Sequence, residues 1–396
     1  MKYCKKCVQP DSRPGIVFSE DGICGACLWE EEKKKINWEE RKAELFEIVE
    51  SAKSKGKIYD CVIGVSGGKD SLFQALYARD VLKLKTLLVN CEPDHITELG
   101  AYNIENIKQL GFDVIAVRPN PVIQRKLIKR DFYKYLNPIK PTEYVLWASA
   151  YIIADKFDIP LVIQGENPGE TLGVSKTTGT DGNALNADLQ NTIKVDPLDE
   201  YLSDEILKDD LFLYRYDKQK MIEKGIKGIW LSHYVKEWSQ PHNAAFSMKH
   251  GLKIRPNTVN LYDLGTYRRY SQLDGAMLEV NQLFKYIKFG FGQATDHVCY
   301  DIREGLISRD EGIFLIKELD GKCGNQFILD FCNYIQITLE EFWNHANKFR
   351  GVMWKQNHLG EWVLDNPIWE IFPIQGNHSL QVICERLDED LENIVI

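Results

Sequence analysis

The chain has 396 residues, of which 44% are hydrophobic, and its formal net charge is −9. This length and apolar content allow a sizeable buried core divided over two or three units. The acidic balance argues against a broad surface for long nucleic acid, because such a surface needs clustered Lys and Arg. The sequence shows no apolar run of the length needed to span a membrane and no apolar segment behind Met1. We therefore expect no membrane span, no signal peptide and a cytoplasmic protein.

The N-terminal segment carries two Cys-x-x-Cys pairs, Cys4 with Cys7 and Cys24 with Cys27. In a cytoplasmic protein cysteines are expected to be reduced, so clustered thiols indicate a metal site before a disulfide framework. Four thiolates at this spacing predict a closed, tetrahedral zinc site that holds structure and takes no part in reaction. The alternatives are a redox pair, unliganded cysteines, and an iron–sulfur cluster on the same four thiolates.

A charged segment follows, from Leu28 to about Lys57. It predicts one helix, because Trp38, Leu45 and Val49 fall on one helical face. Residues 1–57 are accordingly interpreted as a zinc-binding knuckle with a linker helix.

Residues 58–240 alternate apolar strand-like runs with helical patterns, which predicts an α/β fold with a doubly wound parallel sheet. The predicted strands cover 59–65, 85–91, 113–118, 160–164 and 228–233. The predicted helices cover 71–82, 96–110, 121–135, 143–157 and a helical pattern over 201–224. In such a sheet ligands bind beyond the carboxyl ends of the strands, where the strand order reverses.

The loop between the first predicted strand and its helix consists of Ser66, Gly67, Gly68, Lys69, Asp70 and Ser71. Adjacent glycines let the backbone approach a bulky anion, and free N–H groups at a helix start attract its charge. A Walker A loop has Ser or Thr directly after the Lys, whereas this loop has Asp70 there. We interpret the loop as a cradle for the phosphates of ATP; the alternative is an ordinary strand-to-helix turn.

Two further strand ends contribute candidate ATP-binding residues. Asn90 lies near the end of the second predicted strand, where backbone groups and a nearby carboxylate suit an adenosine. Gly165 and Glu166 follow the fourth predicted strand, where Gly165 allows close approach and Glu166, with Glu170, is a candidate ligand for Mg²⁺. The alternative for this stretch is a turn with surface acids.

Residues 241–396 are predicted to be a mainly helical substrate or partner region, with helices over 273–288, 296–303 and 309–319 and a capping signal at Ser308. Its candidate substrate residues are Arg268, Arg269 and Lys288, and Lys176 in the polar segment 171–196 is another. Either Arg268 or Arg269 is able to bind a sugar diphosphate, and a solvated pair is the alternative. Phe289 to Gly292 is interpreted either as a wall beside a ligand or as helix packing.

Taken together, these motifs resemble the N-acetyl sugar amidotransferase family of O-antigen and pseudaminic acid biosynthesis. The resemblance runs to about Asp310 and is carried by these stretches: Cys4-x-x-Cys7-x-x-Pro10, Arg13-Pro14-Gly15-Ile16, Cys24-x-x-Cys27, the loop Ser66 to Ser71, and Lys288 to Asp296. The loop itself is similar to that of PP-loop ATP pyrophosphatases, which have a HUP-like fold and split ATP between the α and β phosphates.

The resemblance implies conversion of a sugar N-acetyl group into an acetamidino group, on a nucleotide-linked or free sugar. The cofactors would be ATP, Mg²⁺ and Zn²⁺, and a separate glutaminase and cyclase-like pair would supply ammonia. An amide oxygen is a poor leaving group until it is adenylated, which accounts for AMP and pyrophosphate as products. Lys69 and Asp70 are the predicted catalytic residues: Lys69 stabilises the departing pyrophosphate, and Asp70 or Glu166 holds Mg²⁺.

Two other functions remain open at this point. A PP-loop tRNA-modifying enzyme of the thiolation type would share the ATP loop, but it predicts a positive groove and a reactive cysteine, for which Cys91 is the candidate. A zinc-stapled module that binds an adenine nucleotide without catalysis is the third hypothesis. Release of pyrophosphate separates this module from both enzymes.

Overall fold

The computed structural model describes residues 1–174, 181–185 and 196–395. The predicted substrate residue Lys176 and most of the polar segment 171–196 lie outside the described residues. Within the described ranges, no helix is both long and apolar enough to cross a bilayer.

The centre of the fold is a sheet of five parallel strands in the order β3-β2-β1-β4-β5. The strands are β1 (Cys61–Val65), β2 (Thr86–Cys91), β3 (Asp113–Val117), β4 (Leu161–Gln164) and β5 (Lys227–Trp230). Val65 pairs with Asn90 on one side of β1, and Ile63 pairs with Ile163 on the other. The strand order therefore reverses between β1 and β4, and the predicted doubly wound parallel sheet is confirmed.

The helices, in chain order, are α1 (Gly25–Lys33), α2 (Trp38–Lys55), α3 (Lys69–Leu76), α4 (Glu98–Gln109), α5 (Pro121–Tyr135), α6 (Lys140–Phe157), α7 (Pro168–Thr171), α8 (Leu198–Tyr201), α9 (Lys218–Glu223), α10 (Gln240–Lys249), α11 (Leu261–Leu264), α12 (Leu278–Phe289), α13 (Gln293–Arg303), α14 (Arg309–Leu319), α15 (Asn325–Ile335), α16 (Leu339–Ala346), α17 (Ile368–Ile371) and α18 (Leu380–Glu392). A short antiparallel hairpin of β6 (Trp354–Gln356) and β7 (Trp362–Leu364) lies between α16 and α17. Residues 241–396 are thus mainly helical, as expected.

Alternating side chains of the strands pack against helices on opposite faces of the sheet. Cys61, Ile63 and Val65 of β1 join one core cluster with α2, α3 and α4. Val62, between them, joins a second cluster with α5 and α6. A strand that is buried on both faces reads as a continuous apolar run, which is why β1 was recognisable in the sequence.

Two helix predictions are corrected by the structure. The single helix expected over 28–57 is two helices, because Asn37 caps a new helix by accepting a hydrogen bond from the backbone N–H of Glu40. The helical pattern over 201–224 is wrong as one helix: it holds a 3₁₀ segment, Lys208–Tyr214, and the short α9, which Asp217 caps. Polar residues that cap a helix interrupt a pattern which hydrophobic spacing alone presents as continuous.

The four N-terminal cysteines pack against the C-terminal region. Cys4, Cys7, Cys24 and Cys27 share a core cluster with residues of α13 and α14, among them Val298 and Ile316. Arg13 strengthens this junction through an ion pair with Asp296 of α13 and a stacking contact on the Phe291 ring, 4.6 Å from its centroid. The two ends of the chain therefore form one packed unit beside the sheet.

The Phe-Gly-Phe-Gly run forms the corner between α12 and α13. Gly290 ends α12 in the left-handed conformation, with a φ of 73°. Gly292 lies so close to Asp320 that a Cβ there would meet its Oδ1 at 2.7 Å. In return, Asp320 accepts hydrogen bonds from the N–H groups of Gly292 and Thr295 at the start of α13. Helix packing and capping account for this run.

Candidate active site and metal centre

The loop from Ser66 to Ser71 leaves the carboxyl end of β1 and enters α3 at Lys69. Gly67 has a φ of 82°, a left-handed conformation that favours glycine. A Cβ on Gly67 would lie 3.2 Å from the carbonyl oxygen of Gly100 in α4. Gly68 is the N-cap residue, so the N–H groups that follow it lie at the start of a helix. This is the backbone arrangement that binds phosphates.

We expect Gly67→Ala to lower the free energy of unfolding by about 1–2 kcal/mol, since it forces an L-residue into the left-handed region. The added methyl group also pushes the loop away from α4, so affinity for ATP should fall. Gly64→Ala is the matched control: this position in β1 has open space where a Cβ would lie. Denaturant unfolding and nucleotide titration of both variants check the prediction, and an equal effect of the two changes would contradict it.

Lys69 and Asp70 form an ion pair, with 2.7 Å between Lys69 Nζ and Asp70 Oδ2. The other carboxylate oxygen of Asp70 accepts a hydrogen bond of 2.9 Å from Asn243 Nδ2. The hydroxyl of Ser247 donates to the carbonyl of Lys69 at 2.7 Å. Asn243 and Ser247 are fully buried residues of α10. Helix α10 therefore holds the loop in place. The sequence prediction missed Asn243 and Ser247 because it placed a domain boundary just before them.

Glu166 lies next to this ion pair at the end of β4. Burial and the neighbouring Asp70 carboxylate raise the pKa of Glu166 to about 7, against the opposing effects of Lys69 and of a hydrogen bond from Gln240. Gln240 in turn accepts a hydrogen bond from Arg268. Two neighbouring carboxylates, one of them with a raised pKa, are a donor set that a divalent cation stabilises. These two carboxylates would hold Mg²⁺, and as a cation site they stay a prediction.

If Glu166 is a ligand of Mg²⁺, its raised pKa would make Mg²⁺ binding depend on pH. Its folded pKa of about 7 lies above the ordinary value of 4.5, so the folded protein retains this proton as pH rises from 4.5 and loses it near 7. Deprotonation without a cation is unfavourable in the fold, so this group's contribution to stability decreases with rising pH across that window. We expect Mg²⁺ affinity, measured by calorimetry with a non-hydrolysable ATP analogue, to increase between pH 6 and 8.

Glu166→Gln should abolish most of that increase, because the glutamine side chain has no proton to lose. Glu105→Gln, a change at an exposed carboxylate of α4, should preserve it. A pH profile that is the same in the Glu166 variant and the wild type would remove Glu166 from the cation site.

The other predicted ATP-binding residues lie at the same edge of the sheet. Asn90 is buried, and its Nδ2 donates to the carbonyl of Val65 at 2.8 Å, so it ties the ends of β1 and β2 together. Gly165 packs against Gln74 of α3, whose Nε2 would be 3.0 Å from a Cβ at this position. Glu170 instead pairs with His233 at 2.9 Å, and both side chains are buried. Glu166 is thus the acid of that loop which faces the ATP loop.

The candidate substrate residues of the C-terminal region are held by protein groups. Arg268 is buried and pairs with Asp301 at 2.5 Å, so the alternative of a solvated pair is wrong for it. Arg269 pairs with Asp388 of α18 at 2.7 Å. Lys288 donates to the carbonyl of Tyr135 at 3.1 Å, and burial lowers its pKa to about 8. As contacts to a sugar, these residues stay predictions.

The four N-terminal cysteines form a compact thiol cluster. Their Sγ atoms all lie within 4.8 Å of one another, with 3.9 Å from Cys4 to Cys27 and 3.6 Å from Cys7 to Cys24. Four sulfurs at about 2.3 Å from one tetrahedral ion lie roughly 3.8 Å apart, so these spacings fit a single zinc ion. An iron–sulfur cluster has several metal atoms between its thiolates and needs a wider cage. The backbone N–H groups of Gln9 and Cys24 donate to Cys7 and Cys4, which supports thiolates at these positions.

The thiolation hypothesis needs a reactive thiol, and the structure places its candidate, Cys91, in a buried position. Cys91 is 6% exposed at the end of β2, and burial raises its pKa to about 12. Cys61, inside β1, has its pKa raised to about 12 for the same reason. Both thiols are therefore protonated at neutral pH and are poor nucleophiles.

Comparison with known protein families gives a match to the region that contains Arg268, Lys288 and the α12–α13 corner. Residues 264–370 match the family model described as the C-terminal domain of WbpG-like proteins of lipopolysaccharide (LPS) biosynthesis. This stretch is therefore similar to the C-terminal domain of that family. Through Arg268 and Gln240, the stretch is connected by hydrogen bonds to Glu166 beside the loop from Ser66 to Ser71.

One curated relative is the uncharacterized protein MJ1599 of Methanocaldococcus jannaschii. It is 30% identical over 105 residues, which is 26% of this chain and 38% of that protein. The chain thus spans well under half of this relative. A WbpG-like C-terminal stretch and a partial match of this kind describe parts of the chain rather than the whole.

Three solved structures share features of the fold at low similarity. The NH3-dependent NAD synthetase of Campylobacter jejuni is 16% identical, with a TM-score of 0.29, over 37% of this chain and 65% of its own. The NMN synthetase of Francisella tularensis is 17% identical, with a TM-score of 0.28, over 56% of this chain and 99% of its own. The U34-tRNA thiolase NcsA of Methanococcus maripaludis, solved with its iron–sulfur cluster, is 12% identical, with a TM-score of 0.30, over 85% of this chain and 96% of its own.

Proposed function

We propose that this chain is an ATP-dependent amidotransferase that forms AMP and pyrophosphate and converts a sugar N-acetyl group into an acetamidino group. Its place would be surface-polysaccharide or nonulosonic acid biosynthesis, with products of the O-antigen or pseudaminic acid type. The observation that supports the proposal is that Glu166, beside the loop from Ser66 to Ser71, is connected through Gln240 to Arg268 in the stretch that matches the WbpG-like model.

The proposed reaction exchanges the amide oxygen for nitrogen. The oxygen attacks the α-phosphate of ATP, the bond to the β-phosphate breaks, and pyrophosphate leaves. Ammonia then adds to the activated carbon, a proton is lost, and AMP departs with the former amide oxygen. The loop N–H groups after Gly68 and the ammonium group of Lys69 hold the charge that develops on pyrophosphate, and Asp70 with Glu166 would bind Mg²⁺.

The proposed ammonia source is a separate glutaminase with a cyclase-like subunit. Glutamine hydrolysis needs an activated cysteine thiolate, and burial raises the pKa of Cys61 and Cys91 in the ATP-loop domain. In the proposal, the N-terminal thiolates bind zinc, a structural role that also removes them from reaction. Free ammonium at high concentration should replace the partner in the assay.

The test is incubation of the protein with ATP, Mg²⁺, ammonium and a panel of N-acetyl sugars, both free and nucleotide-linked. We expect AMP, pyrophosphate and a sugar product lighter by the difference between an oxygen atom and an NH group. Formation of ADP in place of AMP would contradict the proposed cleavage. AMP formation that requires transfer RNA and no sugar would favour the thiolation hypothesis. Nucleotide binding without pyrophosphate release would favour the non-catalytic module.

A further inference from the structure

An open cleft lies beside Glu166, which forms part of its lining. One wall is α1, which contributes Trp29 and Glu30. Another is the C-terminal end of α13, which contributes Tyr300 and Glu304. Glu166 connects the cleft to the proposed cation site, and most of the other lining residues have no role in the phosphate chemistry described above.

The lining of the cleft combines aromatic rings with hydrogen-bonding groups. The rings are those of Trp29, Trp38, Trp238 and Tyr300, and the polar groups include Ser232, Ser239, Gln240 and four glutamates. A pyranose ring has the complementary surface: an apolar C–H face that stacks on an indole, and a rim of hydroxyl groups that bond to carboxylates and hydroxyls. Charged groups of both signs line the cleft, since Lys33 and Arg303 accompany the glutamates.

Trp238 supplies a second, independent observation. Its side chain is 5% exposed and lines the cleft. Among the residues that the structure describes, its indole Nε1 has no hydrogen-bond acceptor. Buried indole N–H groups are usually paired, and an acceptor oxygen of a bound molecule would satisfy this one. A hydroxyl, ring or acetamido oxygen of a sugar meets that need.

The cysteine cluster determines where the α1 wall lies. Cys24 is the N-cap of α1 and Cys27 is in its first turn, so two of the four thiols hold the start of the helix that carries Trp29. The same turn contacts the segment after α7 backbone to backbone: a Cβ on Gly173 would lie 2.5 Å from the N atom of Ala26. The helix is therefore held at both the metal site and the loop that carries Glu166.

We propose that the cleft between α1 and α13 is the acceptor site, and that it binds an N-acetylated aminohexose with its acetamido group toward Glu166 and Lys69. This inference rests on the proposed function and deepens it, because it assigns the sugar to named residues. It also gives the cysteine knuckle a role in substrate binding: the knuckle positions Trp29.

The test measures sugar binding separately from turnover, on the full chain with a non-hydrolysable ATP analogue present. Calorimetry and ligand-observed NMR are carried out with a panel of N-acetylated aminohexoses, each free and linked to UDP, which distinguishes a bare sugar from its carrier-bound form. The variants are Trp29→Ala, which removes the stacking surface, and Trp238→Phe, which retains a ring but removes the N–H donor. Trp362→Ala, at a half-exposed indole of β7, is the matched control.

We expect the sugar Kd to rise at least about tenfold in Trp29→Ala and about fivefold in Trp238→Phe. Metal content, thermal stability of the Trp238 variant and Kd for the ATP analogue should stay at wild-type values, as should sugar binding in the Trp362 control. If the wild type binds sugar and both cleft variants bind it equally well, the cleft assignment is overturned while the proposed function stands. If the wild type binds none of the sugars and forms no AMP with them, both fail. A change in ammonium saturation without a change in sugar affinity would also overturn the cleft assignment.

Discussion

Lys69→Ala should reduce AMP and pyrophosphate formation by at least about 10²-fold, and Asp70→Ala should do the same. Lys69 Nζ is the cation of the loop, its side chain is 10% exposed, and it already lies 2.7 Å from a carboxylate oxygen of Asp70. Without the ammonium group, charge on the departing pyrophosphate loses a preorganised partner in a site that excludes most water. Without Asp70, the proposed cation site loses a ligand and Lys69 loses its ion-pair partner.

Both variants should fold, because one of the two contacts from α10 to the loop is made to a main-chain group and remains in either variant. Ser247 bonds to the main-chain carbonyl of Lys69, and alanine is a good residue for the first turn of α3. The measurements are pyrophosphate release under saturating ATP and thermal unfolding of each variant. Lys108→Ala removes an exposed lysine of α4 that pairs with Glu105 at 3.3 Å, and it should behave as the wild type. Near wild-type turnover in either loop variant would exclude the loop from the mechanism.

The second large effect concerns the cysteine cluster. We expect about one zinc ion per chain, and Cys24→Ser should abolish stoichiometric binding and lower the free energy of unfolding by on the order of 4 kcal/mol or more. The reason is that all four thiols are buried in the cluster that joins the N-terminus to α13 and α14. Loss of the ion leaves unpaired polar groups inside that core and releases the start of α1.

Metal analysis of the purified chain and thermal unfolding of the variant check this prediction. Cys384→Ser is the matched control, because Cys384 is a partly buried cysteine of α18 that packs against the same core but lies outside the group of four thiols. The control should retain both zinc and stability. Stoichiometric iron in place of zinc, or a metal-free protein of unchanged stability, would contradict the assignment. The thiol spacings of 3.6 and 3.9 Å make a single ion the expected result.

Local patterns in the sequence were sufficient for the central sheet and for one helix in particular. The run from Cys61 to Val65 is apolar because β1 is covered on both faces. A strand buried in this way has apolar residues at consecutive positions, which makes it recognisable in the sequence. Helix α14 has the predicted bounds, and Ser308 and Glu311 form the predicted capping box. In both cases the interactions that define the element lie within a few residues of it.

Errors arose where competing local interactions interrupt an apolar period. Asn37 divides the predicted linker helix, and Asp217 begins α9 inside the segment predicted as one helix. The side chain of each residue accepts a hydrogen bond from a backbone N–H group at the start of its helix. This stabilises the helix start, but the spacing of hydrophobic residues does not reveal it. The burial of Arg268 was underestimated for a related reason. Its charge suggested an exposed side chain, whereas Asp301 and Gln240 accept hydrogen bonds from its guanidinium group in the interior.

The amino-acid order alone was enough to predict the glycine-rich loop at the end of β1, the four-cysteine cluster and the parallel sheet, since each depends on residues close together in the chain or on a repeated period. Folding of distant segments supplied the rest of the site. Asn243 reaches Asp70 across 173 positions of sequence, and the cysteine knuckle packs on α13 from the other end of the chain. Contacts between residues so far apart in the sequence depend on how the core packs. No local sequence pattern identifies the residues that meet there.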